Sequence, residues 1–124
     1  MEGFGTFFQT GDWKGEKHVP VIHAPEKVTA GEVFELKMSI GDAVGHPNTF
    51  EHYISWFKLM YHPEGAKFPI ELASFDFAAH GESDIFTEPT GLTSVKLQKS
   101  GTIYALSYCN IHGLWMNSQK IEVV

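Results

Sequence analysis

A thiolate and an imidazole that could bind the same metal ion lie close together near the C-terminus of this 124-residue chain. Cys109 and His112 are separated by two residues, where a strand-like run over residues 102–109 ends. At this spacing both side chains can turn back onto one ion, and both are common metal ligands. A buried cysteine at a strand end, with a histidine beside it by chance, explains the pair equally well when the pair is taken alone.

Three further histidines stand in loops or at strand ends. His46 lies in a turn-rich stretch, and His52 follows six residues later at the start of the next strand-like run. Pro47 restricts His46 to extended backbone conformations and so stiffens its loop. His18 lies just ahead of an apolar run over residues 19–22. Each of these histidines, taken alone, is also typical of a surface turn. Weaker candidates, which flank prolines or lack a partner at ligand spacing, are His23, His62 and His80.

The combination of these histidines with the only cysteine predicts a metal site more strongly than any single motif does. The chain contains 7 histidines and 1 cysteine. Structural zinc sites usually have four ligands and are rich in cysteine, whereas a set of imidazoles with one thiolate suits iron or copper. The residue types therefore predict an iron or copper centre and leave the choice between the two metals open.

Alternating apolar and polar residues predict the strands that must hold these ligands. In the run over residues 32–40, Phe34, Leu36 and Met38 share one face, which is typical of a half-buried strand. Similar runs cover residues 52–61, 73–79, 92–98, 102–109 and 119–124, with a short one at 19–23, and residues 1–18 predict an irregular lead-in. Turns rich in proline and glycine separate the runs. The pattern predicts an all-β antiparallel sandwich formed by one domain over residues 1–124.

Composition and charge narrow the classes of function. The formal net charge is −6 and there is no basic run, so nucleic acid is not an expected partner. No segment approaches the roughly 20 apolar residues that span a bilayer, so we expect no membrane association. The first residues lack the basic start and apolar run of a secretory signal, and a lone cysteine cannot form an internal disulfide, so we expect a cytoplasmic location. The negative net charge also disfavours the binding of an anionic substrate.

Three longer stretches resemble the superoxide reductases, in the single-domain form called neelaredoxin. They are residues 11–20 (GDWKGEKHVP), residues 46–52, which begin HPNT and end EH, and residues 107–115 (SYCNIHGLW). The stretches occur in the family's order and span almost the whole chain. The longer desulfoferrodoxins carry an additional N-terminal domain with a four-cysteine iron centre. This chain has no cysteine before Cys109, so that second centre is not expected.

The resemblance implies an immunoglobulin-like β-sandwich of about seven strands that holds one mononuclear ferrous iron. The implied ligands are four equatorial histidines and one axial cysteine, namely His18, His46, His52, His112 and Cys109. A sixth position would stay open for superoxide, which the family reduces by one electron to hydrogen peroxide. An external electron donor, such as a rubredoxin, would then re-reduce the iron. The resemblance also implies a homo-oligomer, often a tetramer.

The resemblance further implies catalytic roles for two charged residues next to His18. Glu16 matches a glutamate that can occupy the open position in the oxidised state, and Lys17 matches a lysine close to the open face. A local cation beside a cationic metal centre would steer superoxide inward although the chain as a whole is acidic. Without the resemblance, both residues would also be explained as solvated surface side chains.

Two other interpretations remain open from the residues. A blue-copper electron carrier is also a β-sandwich, although it would leave His18 and His52 without a role. Its ligands would be His46, Cys109, His112 and Met116. A non-catalytic module that binds a metal or a small ligand is the second alternative.

Overall fold

Strands make up most of the regular structure in the computed structural model, which describes residues 3–124. The strands are β1 (Val21–His23), β2 (Lys27–Val28), β3 (Phe34–Ser39), β4 (Ile54–Pro63), β5 (Ile70–Asp76), β6 (Gly91–Val95), β7 (Gly101–Cys109) and β8 (Gly113–Val123). Two short 3₁₀ turns cover Phe4–Phe7 and Glu82–Asp84. Within the described residues, no helix is long and apolar enough to cross a membrane.

The strands form two sheets that pack face to face, which confirms the predicted β-sandwich. One sheet has the order β1-β3-β6, and the other has the order β2-β8-β7-β4-β5. All pairs are antiparallel except β2 with β8, which is parallel. The described residues thus contain eight strands rather than about seven. The additional strand, β2, is two residues long, which is too short to produce an alternating pattern in the sequence.

The hydrophobic core lies between the two sheets. Leu36 and Met38 of β3 pack in one cluster with Phe57 and Leu59 of β4 and with Ile103 of β7, and all five side chains are fully buried. Burying a side chain of this size stabilises the fold by about 1.5–3 kcal/mol. The core therefore fixes β3, β4 and β7 relative to one another, and the loops at their ends begin and end at fixed positions.

Several strand boundaries differ from the sequence prediction. β8 begins at Gly113 rather than at residue 119, because its first residues pair with β7 without a clean apolar alternation. β5 covers Ile70–Asp76 rather than 73–79, and as an edge strand it is mostly exposed, which weakens the periodic signal. The predicted irregular lead-in contains the 3₁₀ turn at Phe4–Phe7, and its first two residues, Met1 and Glu2, lie outside the described range.

The β7–β8 hairpin places the Cys109–His112 pair at one end of the sandwich. Cys109 pairs with Gly113, so residues 110–112 form the whole connection between the strands. Gly113 has a φ of 83°, a left-handed conformation that glycine adopts without strain. On the other side of β7, Ile54 at the start of β4 pairs with Cys109. The residues just before β4, which include His52, are thereby brought next to the hairpin.

Candidate metal centre

All five residues predicted as metal ligands meet at this end of the sandwich. The candidate ligand atoms of His18, His46, His52 and Cys109 all lie within 4.8 Å of one another. His112 joins them through its Nδ1 atom, which lies 2.9 Å from His18 Nε2, 3.2 Å from His52 Nε2 and 3.9 Å from Cys109 Sγ. Four imidazoles and one thiol thus converge on one point from three loops and one strand end.

The hydrogen bonds of His46 leave one of its nitrogens free to bind a metal. Its Nδ1 donates to the carbonyl oxygen of Pro47 at 2.6 Å, so the proton resides on Nδ1. Its Nε2 is buried and has no hydrogen-bond partner among the described residues. Burial also lowers the pKa of His46 to about 4, which keeps the imidazole neutral near pH 7. A buried lone pair without a donor is costly in a folded protein, and a metal ion would satisfy it.

His18 presents its Nε2 to the cluster because its other ring nitrogen is occupied. Glu16 Oε1 accepts a hydrogen bond from His18 Nδ1 at 2.7 Å and another from the His18 backbone N–H at 3.0 Å. These two bonds, the backbone one first, lower the pKa of Glu16 and favour its ionised form. A carboxylate behind a histidine is the usual device that fixes the tautomer of a metal ligand. In this structure Glu16 therefore lies behind the His18 ring, and its implied role at an open position stays a prediction.

The sulfur of Cys109 is enclosed by the protein. The residue is fully buried, and Sγ accepts the backbone N–H of His112 at 3.4 Å. Hydrogen bonds of this kind stabilise a thiolate and tune a metal bound to it. The neighbouring Asn110 holds the hairpin in place, since its side chain accepts from the Tyr53 N–H at 2.9 Å and donates to the Glu51 carbonyl at 2.9 Å.

Lys17 brings a positive charge close to the cluster. Burial is the main cause that lowers the pKa of His52, and the charges of His112, His18 and Lys17 add to it. The same lysine contributes to the lowered pKa of His46. His112 is exposed, so the cluster reaches solvent on that side.

The three weaker histidine candidates lie outside the cluster. His23 Nε2 contacts Ser39 Oγ at 2.7 Å and Asp42 Oδ2 at 3.0 Å. His62 Nε2 donates to the Ala66 carbonyl at 2.8 Å. His80 stacks on Tyr53, with ring centroids 3.6 Å apart. None of these three joins the group of converging ligand atoms among the described residues.

In this fold Met116, the fourth ligand of the blue-copper alternative, does not face the cluster. Met116 and Trp115 are neighbours in β8, and successive side chains in a strand point to opposite faces. Trp115 stacks on the ring of His18, so its face is the one that adjoins the cluster. Met116 therefore points away from the cluster, whereas the two histidines that a copper site would leave without a role both lie inside it.

Trp115 is the main residue that contacts the cluster and that the sequence did not point to. It lies in one of the quoted stretches, directly after the Cys109–His112 region, but its residue type did not point to a metal site. Its stack on His18 involves a segment nearly a hundred residues away, and no local pattern predicts such a contact. Gln9 was missed for the same reason, although its side chain donates to the His112 carbonyl at 2.8 Å.

Comparison with known proteins assigns the family. The family model described as desulfoferrodoxin matches residues 10–118. The chain belongs to the desulfoferrodoxin family. The superoxide reductase of Pyrococcus horikoshii is 49% identical over 114 residues, which cover 92% of this chain and 95% of that protein. The family resemblance expected from the sequence motifs is confirmed.

Solved structures of desulfoferrodoxin-family proteins share the fold. A crystal structure of a Thermotoga maritima protein matches with a TM-score of 0.95 and 49% identity, covering 100% of this chain and 99% of that one. The reduced form of the superoxide reductase, or neelaredoxin, of Archaeoglobus fulgidus matches with a TM-score of 0.85 and 46% identity. That match covers 94% of this chain and 98% of the other. The sandwich of this chain is thus the fold of neelaredoxin-type superoxide reductases.

Proposed function

We propose that this chain is a superoxide reductase, which reduces superoxide to hydrogen peroxide at one mononuclear iron. The observation that carries the proposal is the convergence of four imidazoles and one buried thiol on one point, with the Nε2 of His46 buried and lacking a partner. Iron accepts such a mixed set of nitrogen and sulfur ligands. Relatives named superoxide reductase that match over more than nine-tenths of the chain support the same assignment.

The proposed ligands are the five residues of the cluster, His18, His46, His52, Cys109 and His112. When bound, ferrous iron supplies the single electron that superoxide must gain. Burial keeps His46 neutral, and its Nδ1–H bond to Pro47 leaves Nε2 as the ligand atom. Cys109 contributes one negative charge as a thiolate, so a divalent ion in this site keeps a net positive charge. That charge favours an incoming anion.

Lys17 is proposed to guide the substrate. The chain as a whole repels superoxide, with a formal net charge of −6. Lys17 is close enough to the cluster to contribute to the lowered pKa of both His46 and His52. A cation placed at the mouth of a small charged site raises the local concentration and the association rate of an anion. Lys17 thus offsets the unfavourable charge of the rest of the surface.

Glu16 is proposed to act in two ways. Its first role is to hold His18 in the tautomer that presents Nε2 to the cluster. Its second role, implied by the family resemblance, is to occupy the open position in the oxidised state. The second role requires the carboxylate to release its hydrogen bond to His18 Nδ1, which faces away from the cluster, so the two roles exclude each other at any one moment.

The remaining proposals concern the protein's surroundings. Superoxide needs one electron per turnover, and the sequence contains no second cysteine that could help hold an additional, cysteine-bound iron centre. We therefore propose an external electron donor, a rubredoxin being the family's example. A homo-oligomer such as a tetramer and a cytoplasmic location complete the proposal. Residues 1–124 are proposed to form one domain, because the buried side chains of both sheets belong to one cluster.

Metal analysis and one substitution test the proposal. The purified protein should contain about one iron per chain, as expected for one five-ligand cluster, with little copper or zinc. The oxidised protein should show a visible thiolate-to-iron absorption band, and Cys109→Ser should abolish it. Stoichiometric copper, or a band that survives without Cys109, would contradict the proposed centre.

A further inference from the structure

One aromatic side chain contacts two of the proposed ligands at once. The indole of Trp115 stacks on the His18 imidazole, with ring centroids 4.9 Å apart and planes inclined by 15°. Its Nε1–H donates to the carbonyl oxygen of His112 at 3.2 Å. Only 8% of Trp115 is exposed, so packing holds the ring in this position. A rigid group thereby connects two ligands that are 94 residues apart in the sequence.

The carbonyl of His112 has a second side-chain donor. Gln9 Nε2 donates to it at 2.8 Å. The backbone of Gln9 is itself fixed to β8, since its N–H donates to the Leu114 carbonyl at 3.0 Å and its carbonyl accepts from the Met116 N–H at 2.8 Å. The two donors approach the same oxygen from different parts of the chain.

The backbone position of His112 matters because of the atom that faces the cluster. His112 points its Nδ1 toward His18 and His52. Nδ1 is the ring nitrogen nearer to the main chain, so the position of this atom follows the position of the backbone closely. His112 is also exposed and lies in the short connection between β7 and β8. Contacts to its carbonyl therefore help to hold Nδ1 in place, together with the hydrogen bond from its backbone N–H to Cys109 Sγ.

We propose that Trp115 is a positioning residue for the metal centre, which aligns His18 by stacking and His112 through its carbonyl oxygen. Gln9 shares the second of these contacts. The inference rests on the proposed ligand set and adds to it the groups that bring two ligands to the same point. Residues that orient metal ligands typically change metal affinity by about 10–100-fold when they are replaced.

Three variants of the iron-loaded protein separate the two contacts. Trp115→Leu removes both the stack and the hydrogen bond, Trp115→Phe keeps a flat ring but removes the N–H donor, and Gln9→Ala removes the other donor. Iron affinity is measured by competition with a chelator, together with the absorption maximum of the oxidised form and the reduction potential. Trp56→Phe is the matched control, because Trp56 stacks on Tyr108 at 6.0 Å rather than on a ligand.

Trp115→Leu should lower iron affinity by about tenfold or more and shift both the absorption maximum and the potential. Trp115→Phe should recover part of the affinity, since its ring can still pack against His18. Trp56→Phe should behave as the wild type. A loss of fold stability alone would leave the absorption maximum and the potential unchanged, so these two readouts distinguish positioning from general destabilisation.

Wild-type affinity, absorption and potential in Trp115→Leu would overturn the inference. If that variant does not fold, the double variant Gln9→Ala/Trp115→Phe decides, because it leaves the His112 carbonyl without either side-chain donor. Wild-type values in the double variant would then refute the positioning role. The failure of the proposed function would be seen differently, as a wild-type protein without iron or without a band that depends on Cys109.

Discussion

Glu16 and His18 are joined by two hydrogen bonds to one carboxylate oxygen. Glu16 Oε1 accepts the backbone N–H of His18 at 3.0 Å and the ring Nδ1–H at 2.7 Å. The pair therefore sets the tautomer of a proposed ligand within a three-residue segment. Since the bonds also lower the pKa of Glu16, the carboxylate stays ionised and keeps accepting both of them well into the acidic range.

Two substitutions at Glu16 separate its proposed roles. Glu16→Gln keeps an oxygen that can accept the Nδ1–H of His18, whereas Glu16→Ala removes it. Glu16→Ala should therefore lower iron affinity by about tenfold, and Glu16→Gln should retain most of it. If Glu16 also binds the oxidised metal, both variants should shift the oxidised spectrum. The ferrous form of both should still react rapidly with superoxide, because the closing carboxylate is needed only after electron transfer.

The control for the Glu16 variants is Glu35→Ala. This substitution removes an exposed carboxylate of β3 that is not part of the cluster. Its affinity and spectrum should match the wild type. An unchanged oxidised spectrum in both Glu16 variants would mean that the carboxylate does not reach the metal. Unchanged affinity in Glu16→Ala would mean that the tautomer of His18 is fixed by something else.

Replacing Lys17 tests electrostatic guidance. Lys17→Ala should slow the bimolecular reaction with superoxide and flatten its dependence on ionic strength, because salt screens the attraction that the lysine supplies. Iron content should not change. Lys67→Ala, which removes an exposed lysine beyond the end of β4, is the matched control. Equal rates and equal salt slopes for Lys17→Ala and the wild type would mean that Lys17 is a surface lysine that does not guide superoxide.

The metal-free protein should lose stability as the pH falls from about 6.5 to about 4. The pKa of His46 is lowered from 6.5 to about 4, chiefly by burial. Within this window the unfolded chain binds a proton at His46 that the folded chain does not, so acid favours unfolding. The effect is on the order of 1–2 kcal/mol, below the full linkage value because His46 is only partly buried. The lowered pKa of His52 acts in the same direction.

Thermal unfolding midpoints of the metal-free protein, measured across this pH range, check the effect. His46→Gln has no group that titrates there, so its midpoint should fall less steeply with acid than that of the wild type. Parallel curves for the two proteins would show that His46 titrates alike in the folded and unfolded states.

Much of the fold was predictable because most strands have one face on the core. The alternation of Phe34, Leu36 and Met38 identified β3, and the run that ends at Cys109 identified β7. The parallel pairing of β2 with β8 involves two residues of β2, and so few residues cannot show a period. The first half of β8 was missed because its residues contact the N-terminal segment and the metal centre as well as the core.

The set of residues that meet at the proposed centre was predictable because ligand chemistry is carried by residue type. Histidine and cysteine are recognisable wherever they stand, and the family motifs selected four of the seven histidines. The orientation of those ligands was not predictable. The bond from Gln9 to the His112 carbonyl spans 103 positions, and the Asn110 side chain reaches across to Tyr53 and Glu51. Such contacts form when loops that are distant in the sequence meet in the folded chain, so the local sequence pattern does not predict them.

The products of the reaction distinguish a reductase from a dismutase. A dismutase uses superoxide for both half-reactions and so releases dioxygen together with hydrogen peroxide. The centre proposed here should perform one half, in which superoxide gains one electron and two protons. Glu16, once it leaves His18, would discourage a second superoxide from acting as reductant at the oxidised centre. The electron for the next turnover is the one that the proposed external donor would supply.

In a single turnover without a donor, the reduced protein should therefore form about one hydrogen peroxide per iron, as one-electron chemistry at one metal requires, with no matching dioxygen. Sustained consumption of superoxide should begin only when a reduced carrier such as rubredoxin is added, and its rate should rise with the carrier's concentration. Glu16→Ala serves as the internal comparison, since a centre that cannot be closed should release more dioxygen than the wild type. Dioxygen release is the decisive quantity. Rapid catalytic release by the wild type in the absence of any donor would make the protein a dismutase and refute its assignment as a reductase.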